Sequence, residues 1–239
     1  MKVLVIGANG NTGQRLLRRL AAGPHDPVAM IRDAGQRGLF DDMGVPTVLG
    51  DVEYPIDHAV RGCDAVIFAA GSGSKTGKDK TVLVDHIGAI RSMVAAQESG
   101  AQRYIMLSSI NADINSTSTI AHYHKAKAHA DYHLRQTDLD YTIVCPGGLT
   151  DEPDPGTADL SARLTGRGMT SRETLAEVMA RCLDADNTIR KAFSVLDGDV
   201  PLAEALAGLG RRDEADQWFA TVARGDVDQL TDAHTRTTA

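Results

Sequence analysis

The sequence predicts an α/β fold with a doubly wound parallel sheet, and two observations carry that prediction. Apolar runs of strand length alternate with helix-length segments from the first residue onward. The runs are continuously apolar, as strands covered on both faces are. Lys2–Ile6 reads as the first strand, and Thr12–Ala22 as a helix with Leu16, Leu17 and Leu20 on one face. Val28–Ile31, Thr47–Leu49, Ala65–Ala69, Arg103–Leu107 and Tyr141–Cys145 continue the strand series. Between them lie helical stretches at about Gly35–Met43, Asp57–Arg61, Thr81–Ser99 and His124–Thr137. Such βαβ units cross over right-handedly and build a parallel sheet with helices on both sides.

After Pro146 the composition turns to Gly, Pro, Asp and Thr, and Gly147–Gly168 reads as irregular. Thr170 or Ser171 then caps a helix running to about Leu183, with Glu173 in its first turn. Ala192–Leu196 is a late strand and Leu202–Ala207 a last short helix. Residues 1–208 are thus expected to form one domain, with about 147–208 as a small C-terminal portion forming the substrate side. Residues 209–239 make a charged tail in which Trp218, Phe219 and Val222 supply one apolar helical face, with fraying expected beyond Asp226. That face is a candidate contact for a second copy of the chain or a protein partner, or it packs back on the core.

A chain of 239 residues with a formal charge of -7 suits a soluble globular protein and argues against a nucleic-acid surface. Cys63, Cys145 and Cys182 are widely spaced and odd in number, which points to a reducing compartment with no disulfide framework. The first apolar run is too short for a secretory segment, and no other run reaches membrane length. A cytoplasmic protein is the expectation.

Gly7-Ala-Asn9-Gly10-Asn11-Thr12-Gly13 follows the first strand and opens the first helix, the context that gives a glycine triplet meaning. The first glycine permits the sharp turn, the second lets backbone approach a pyrophosphate, and the third lets helix and strand pack closely. The free N–H groups and positive dipole end of the helix receive the pyrophosphate, so a Rossmann-type dinucleotide site is predicted. The spacing is GxxGxxG, one residue longer in the turn than GxGxxG. The second strand ends at Arg32 followed by Asp33. An arginine there can grip a 2′-phosphate and stack on adenine, which favours NADP(H) over NAD(H), whereas Asp33 is the alternative ribose ligand. Asp51, in Gly50-Asp51-Val52 after the third strand, is placed to accept from the adenine amino group or to cap a helix.

Further segments recur in a recognisable order: Ala69-Ala70-Gly71-Ser72-Gly73, Met106-Leu107-Ser108-Ser109 and Pro146-Gly147-Gly148-Leu149-Thr150. With GANGNTG and the Gly50-Asp51-Val52 step, they resemble the atypical short-chain dehydrogenase/reductases. That is the NAD(P)H-binding group that includes NmrA-like proteins and biliverdin-IXβ and flavin reductases. The resemblance covers about residues 1–208. It implies that Gly71 and its neighbours run along the ribose and nicotinamide, and that the stretch from Pro146 and Gly147 passes over the nicotinamide and helps form the substrate pocket.

Tyr123-His-Lys-Ala-Lys127 places a tyrosine and a lysine on one helix face. A phenol with a pKa of about 10 is a poor acid–base group unless an ammonium stabilises its anion. A serine, Ser109 in preference to Ser108, can hold a substrate oxygen while the tyrosine exchanges a proton with it. Ser109, Tyr123 and Lys127 are therefore the candidate catalytic set, with Ser108 and Lys127 also expected to line the cofactor. The alternative is that Tyr123 only packs at the helix start and Lys127 only binds ribose. Three functions fit: an NADP(H)-dependent oxidoreductase acting on a small carbonyl, quinone or flavin-like acceptor, a non-catalytic dinucleotide sensor, and a nucleotide-sugar epimerase or dehydratase. His129 and His133 stand at i,i+4 without an HExxH motif, so no metal is expected. Gly71–Gly77, with Lys75, reads as a mobile flap, and Cys145 as a small core residue.

Overall fold

The computed structural model describes residues 1–73, 76–153 and 155–209. Trp218, Phe219 and Val222 of the tail, and Lys75 of the flap, lie outside the described residues. The first half of the chain contains β1 (Lys2–Ile6), α1 (Asn11–Ala21), β2 (Asp26–Ile31), α2 (Arg37–Asp41), β3 (Thr47–Leu49), α3 (Asp57–Val60) and β4 (Ala65–Phe68). Then come α4 (Lys78–Lys80), a π-helical segment (Thr81–Gly88), α5 (Ala89–Ser99), β5 (Arg103–Leu107) and α6 (Ala121–Arg135). The rest comprises β6 (Asp140–Pro146), β7 (Gly148–Thr150), β8 (Thr157–Ser161), β9 (Met169–Ser171), α7 (Arg172–Cys182), β10 (Lys191–Pro201) and α8 (Leu202–Gly208).

The main sheet has the order β3-β2-β1-β4-β5-β6-β10-β8, with every neighbouring pair parallel except the edge pair β10–β8. Period-two alternation of buried side chains supplies both faces. Val3 and Val5 join Leu16, Leu17, Leu20, Phe40 and Met179 on one side, while Leu4 and Ile6 join Phe68, Met93, Tyr104 and Leu134 on the other. Strand order reverses between β1 and β4, and in doubly wound sheets that crevice at the carboxyl ends is where ligands bind. At the opposite, amino end, a cavity of about 470 Å³ is lined by Asp64, Gln102, Arg103, Asp140, Asp184 and Asp186, and no candidate site residue borders it.

Three expectations need correction. The segment Thr81–Ser99 is not one α-helix, because its first eight residues are π-helical and only Ala89–Ser99 is α. Gly88 lies where a Cβ would come within 2.7 Å of Val52 and 2.9 Å of the Leu83 carbonyl, and Asp85 is fully buried one turn earlier. Periodicity near 3.6 cannot distinguish that widened turn from an α-helix.

Gly147–Gly168 is not wholly irregular. It contains β7, which pairs in parallel with β9, and β8, which pairs antiparallel with β10. A Cβ on Gly147 would stand 2.3 Å from the Gly168 carbonyl oxygen, so these glycines mark close backbone contact. Third, the late strand runs on to Pro201 because β8 pairs with its second half across a bulge. Ser171 is the N-cap of α7, accepting from the Glu173 N–H at 3.2 Å, and Thr170 instead accepts from the Gly147 N–H at 3.0 Å. Among the described residues no helix is long and apolar enough to cross a membrane.

Candidate functional site

The glycine loop connects β1 to α1, as its spacing requires. Gly7 has φ +90°, and a Cβ there would meet the Ala70 nitrogen at 2.5 Å and the Ala69 carbonyl carbon at 2.6 Å. A Cβ on Gly13 would sit 2.2 Å from the Gly7 carbonyl oxygen, so α1 can approach the end of β1 only without a side chain at Gly13, while the bare Gly7 lets Ala69 and Ala70 come close. Gly10 is the N-cap of the 11-residue helix α1, with no side chain bonded to the helix end and no acid in the first turn. Asn9, Gly10 and Asn11 are exposed and Thr12 is nearly buried. The cradle thus offers unfilled backbone N–H groups and a positive dipole end to a pyrophosphate, beside the backbone of Ala69 and Ala70.

At the adenosine side, Arg32 is exposed at the end of β2. Asp33 caps the following turn, its Oδ1 accepting from the Gly35 N–H at 2.8 Å. Asp51 accepts from the Glu53 N–H at 3.0 Å and so holds its own turn. Val52 is buried against Gly88, and its carbonyl accepts from Arg91. Pro146 and Gly147 lie at the end of β6, but the Gly147 N–H already donates to Thr170 and the Pro146 carbonyl accepts from Ile110. Those backbone groups serve the fold before they can serve a ligand.

The centre of the site is Lys127, 2% exposed on α6. Its Nζ donates to the Leu107 carbonyl at 3.0 Å, pairs with Asp85 Oδ1 at 3.3 Å, and stands 5.8 Å from the ring centroids of both Tyr123 and Phe68. Burial alone would pull this amine down. Asp85, then Tyr123 and Asp131, outweigh that and hold it above its ordinary value, so Lys127 is an ammonium. The other Asp85 oxygen accepts from the Ser72 N–H at 2.9 Å, and Ser72 Oγ bonds to Thr81 Oγ1 at 3.1 Å. One carboxylate thus ties the segment after β4, at Ser72 beside Gly71, to the lysine.

Tyr123, in the first turn of α6, has its pKa raised chiefly by burial, with Lys127 and a hydrogen bond to Ser109 opposing. It is a neutral phenol at physiological pH. Ser109 Oγ also donates to the Ile110 carbonyl at 3.0 Å. Ser108 is 1% exposed and its hydroxyl donates to Asp131, which separates the two serines: Ser109 neighbours the tyrosine, whereas Ser108 points to the interior. The sequence reading missed Asp85 and Asp131. The signals were an aspartate inside the apolar run Thr81–Gly88 and another one turn beyond Lys127.

His129 stacks on His86 at 4.9 Å, and among the described residues no group of three or more His, Cys, Asp or Glu could hold a metal ion. Cys145 is buried in β6.

A family model described as NAD(P)H-binding matches residues 7–186. The uncharacterised sugar epimerase YhfK of Bacillus subtilis is 42% identical over 215 residues, covering 87% of this chain and 100% of that protein. A Bacillus halodurans structure, provisionally described as an NAD-dependent epimerase/dehydratase, superposes with a TM-score of 0.83 at 40% identity. The match covers 87% of this chain and 99% of that one. The oxidoreductase ylbE of Lactococcus lactis gives a TM-score of 0.76 at 28% identity, over 89% and 98% of the two chains. The chain belongs to the NAD(P)H-binding family.

Proposed function

We propose that the protein is an NADP(H)-dependent oxidoreductase that reduces a small carbonyl, quinone or flavin-like acceptor. The observation that carries this reading is the buried ammonium of Lys127, held by Asp85 and set 5.8 Å from the Tyr123 ring. A purely structural helix gains nothing from burying a lysine and an aspartate together, because desolvating both offsets most of their attraction. The residues that would hold the dinucleotide are Gly7–Gly13 for the pyrophosphate, Arg32 and Asp51 for the adenosine half, and Ala69–Gly71 with Lys127 for the second ribose. When bound, the reduced dinucleotide supplies the hydride.

The chain's own residues handle the oxygen and the proton. Ser109 and Tyr123 hold the acceptor oxygen, and the Tyr123 hydroxyl passes its proton to that oxygen as the adjacent carbon becomes reduced. Lys127 stabilises the tyrosinate left behind until water returns the proton. Each turnover consumes one hydride equivalent and one proton. Tyr123 stays protonated across neutral pH and so has a proton to give, and Lys127, which opposes the rise of its pKa, lowers the cost of leaving it as a tyrosinate.

The NADP preference rests on Arg32, because Asp33 is engaged as a cap. Arg32→Ala is expected to weaken NADPH binding about 10- to 100-fold, the worth of a lost charge-assisted pair, while NADH binding changes little. Fluorescence titration of both proteins with both dinucleotides measures this. A variant with unchanged preference would make Arg32 a surface charge and return the ribose to Asp33.

A second reading has support in the names of the relatives, a sugar epimerase and an epimerase/dehydratase. Tyr123, with Lys127 beside it, would then take and return the proton of a sugar hydroxyl, and the oxidised dinucleotide, when bound, would supply the hydride acceptor, with no net change in it. A panel of quinones, flavins and aldehydes under NADPH oxidation, run beside nucleotide sugars assayed for isomer exchange, separates the two. The proposed reading expects NADPH consumption with an acceptor and no isomer exchange.

A further inference from the structure

Asp131 is the buried titratable group that the mechanism above leaves unused. It lies one turn beyond Lys127 on α6 and is 5% exposed. Its Oδ2 accepts the hydroxyl of Ser108, and its Oδ1 has no hydrogen-bond partner among the described residues. An ionised carboxylate with a dry, unpartnered oxygen is costly. Asp85 already balances Lys127, so the counter-charges left to an ionised Asp131 are a shared Lys127 and the half-buried Arg135 on the same helix.

We infer that Asp131 is a positioning residue of this site, acting through Ser108 and Lys127, and that gaining or losing a proton there switches the cluster between two charge states. The inference rests on the reading that Tyr123 and Lys127 serve the reaction. The groups that face it are Lys127 and Arg135 on α6, Tyr123 in the first turn of the same helix, and Asp85 on the π-helical segment packed across it. His86 on that segment and His129 and His133 on α6 form a separate neighbouring group whose mutual repulsion, after burial, keeps His86 low.

Burial pushes the Asp131 carboxyl up to about 6, against the pull of Ser108, Arg135 and Lys127. Its proton is therefore exchanged within the physiological range. With Asp131 ionised, tyrosinate formation at Tyr123 is opposed by two carboxylates. With Asp131 protonated it is opposed by Asp85 alone, and Tyr123 is the stronger acid. Reduction is thus faster on the acidic side of the Asp131 transition.

The test compares the wild type with Asp131→Asn, whose amide oxygen can still accept from Ser108. The first readout needs no turnover: Tyr123 ionisation followed by NMR on ¹³Cζ-labelled tyrosine, assigned with Tyr123→Phe. The variant should ionise more easily, by on the order of threefold in the equilibrium constant. The second is the pH–rate curve from pH 5 to 8 with a reducible acceptor. Wild type should fall on the order of twofold as pH rises through about 6, and the variant should be flat at the higher level. Ser108→Ala, which removes the bond to Asp131, should move the wild-type inflection to higher pH. An unchanged Tyr123 titration, or an identical pH–rate curve in an active variant, overturns the inference. No acceptor reduced by wild type, with the Tyr123 shift present, refutes the reductase reading and leaves the charge switch standing.

Discussion

Lys127→Met should destabilise the protein by about 3–5 kcal/mol, which lowers Tm by about 10 °C in a domain of this size. The ammonium is 2% exposed and its partner Asp85 is fully buried, so solvent screening cannot soften the loss. Methionine keeps most of the side-chain volume beside Phe68 and Tyr123. What it removes is the ion pair at 3.3 Å and the donor to the Leu107 carbonyl. Asp85 retains only its bond from the Ser72 N–H, and an under-compensated carboxylate remains in the core. Adding Asp85→Asn should recover a large part of the loss, and the double-mutant cycle measures the coupling directly. The folded lysine is raised above its ordinary 10.5, so its contribution is fully present through neutral pH and is lost only as pH climbs through that raised value. Urea unfolding at pH 7 of the four proteins provides the check. A Lys127→Met protein as stable as wild type would mean that the pair is not buried as described.

Tyr123→Phe carries the second large effect, this time on rate. Removing a positioned proton donor lowers kcat by about 10²- to 10⁴-fold. The ring remains beside Lys127, so stability and dinucleotide affinity should change little. Steady-state NADPH oxidation with any acceptor found in the panel, together with a binding titration, separates these. A variant that keeps wild-type kcat would show that delivery of the hydride alone suffices, with the acceptor taking its proton from water.

Much of the fold was legible in the sequence because its signals are local. Lys2–Ile6, the glycine turn and the Leu16/Leu17/Leu20 face are adjacent in sequence, and each obeys a single period or a fixed spacing. What escaped was set by contacts distant in the chain. The π-helical segment Thr81–Gly88 ends at Gly88, packed against Val52 more than 30 residues away, a contact no local period reports. Strands β7 and β8 have little intrinsic β preference and exist because β9 and β10 pair with them.

The candidate site divides the same way. Tyr123 and Lys127 share a helix face and could be found by spacing. Asp85 becomes the lysine's partner only through the packing of two helices, and Asp131 becomes notable only through burial. The choice between Ser108 and Ser109 likewise needed the third dimension, since adjacent residues on an extended chain point in opposite directions.

The most direct test of the account is whether the purified protein binds NADPH at the mouth of α1. Titration followed by nicotinamide fluorescence should show saturable, one-to-one binding, tighter for NADPH than for NADH, with the preference lost in Arg32→Ala. Absence of saturable binding of either dinucleotide at millimolar concentration would contradict the central claim, and the glycine cradle would then be a tight turn without a ligand.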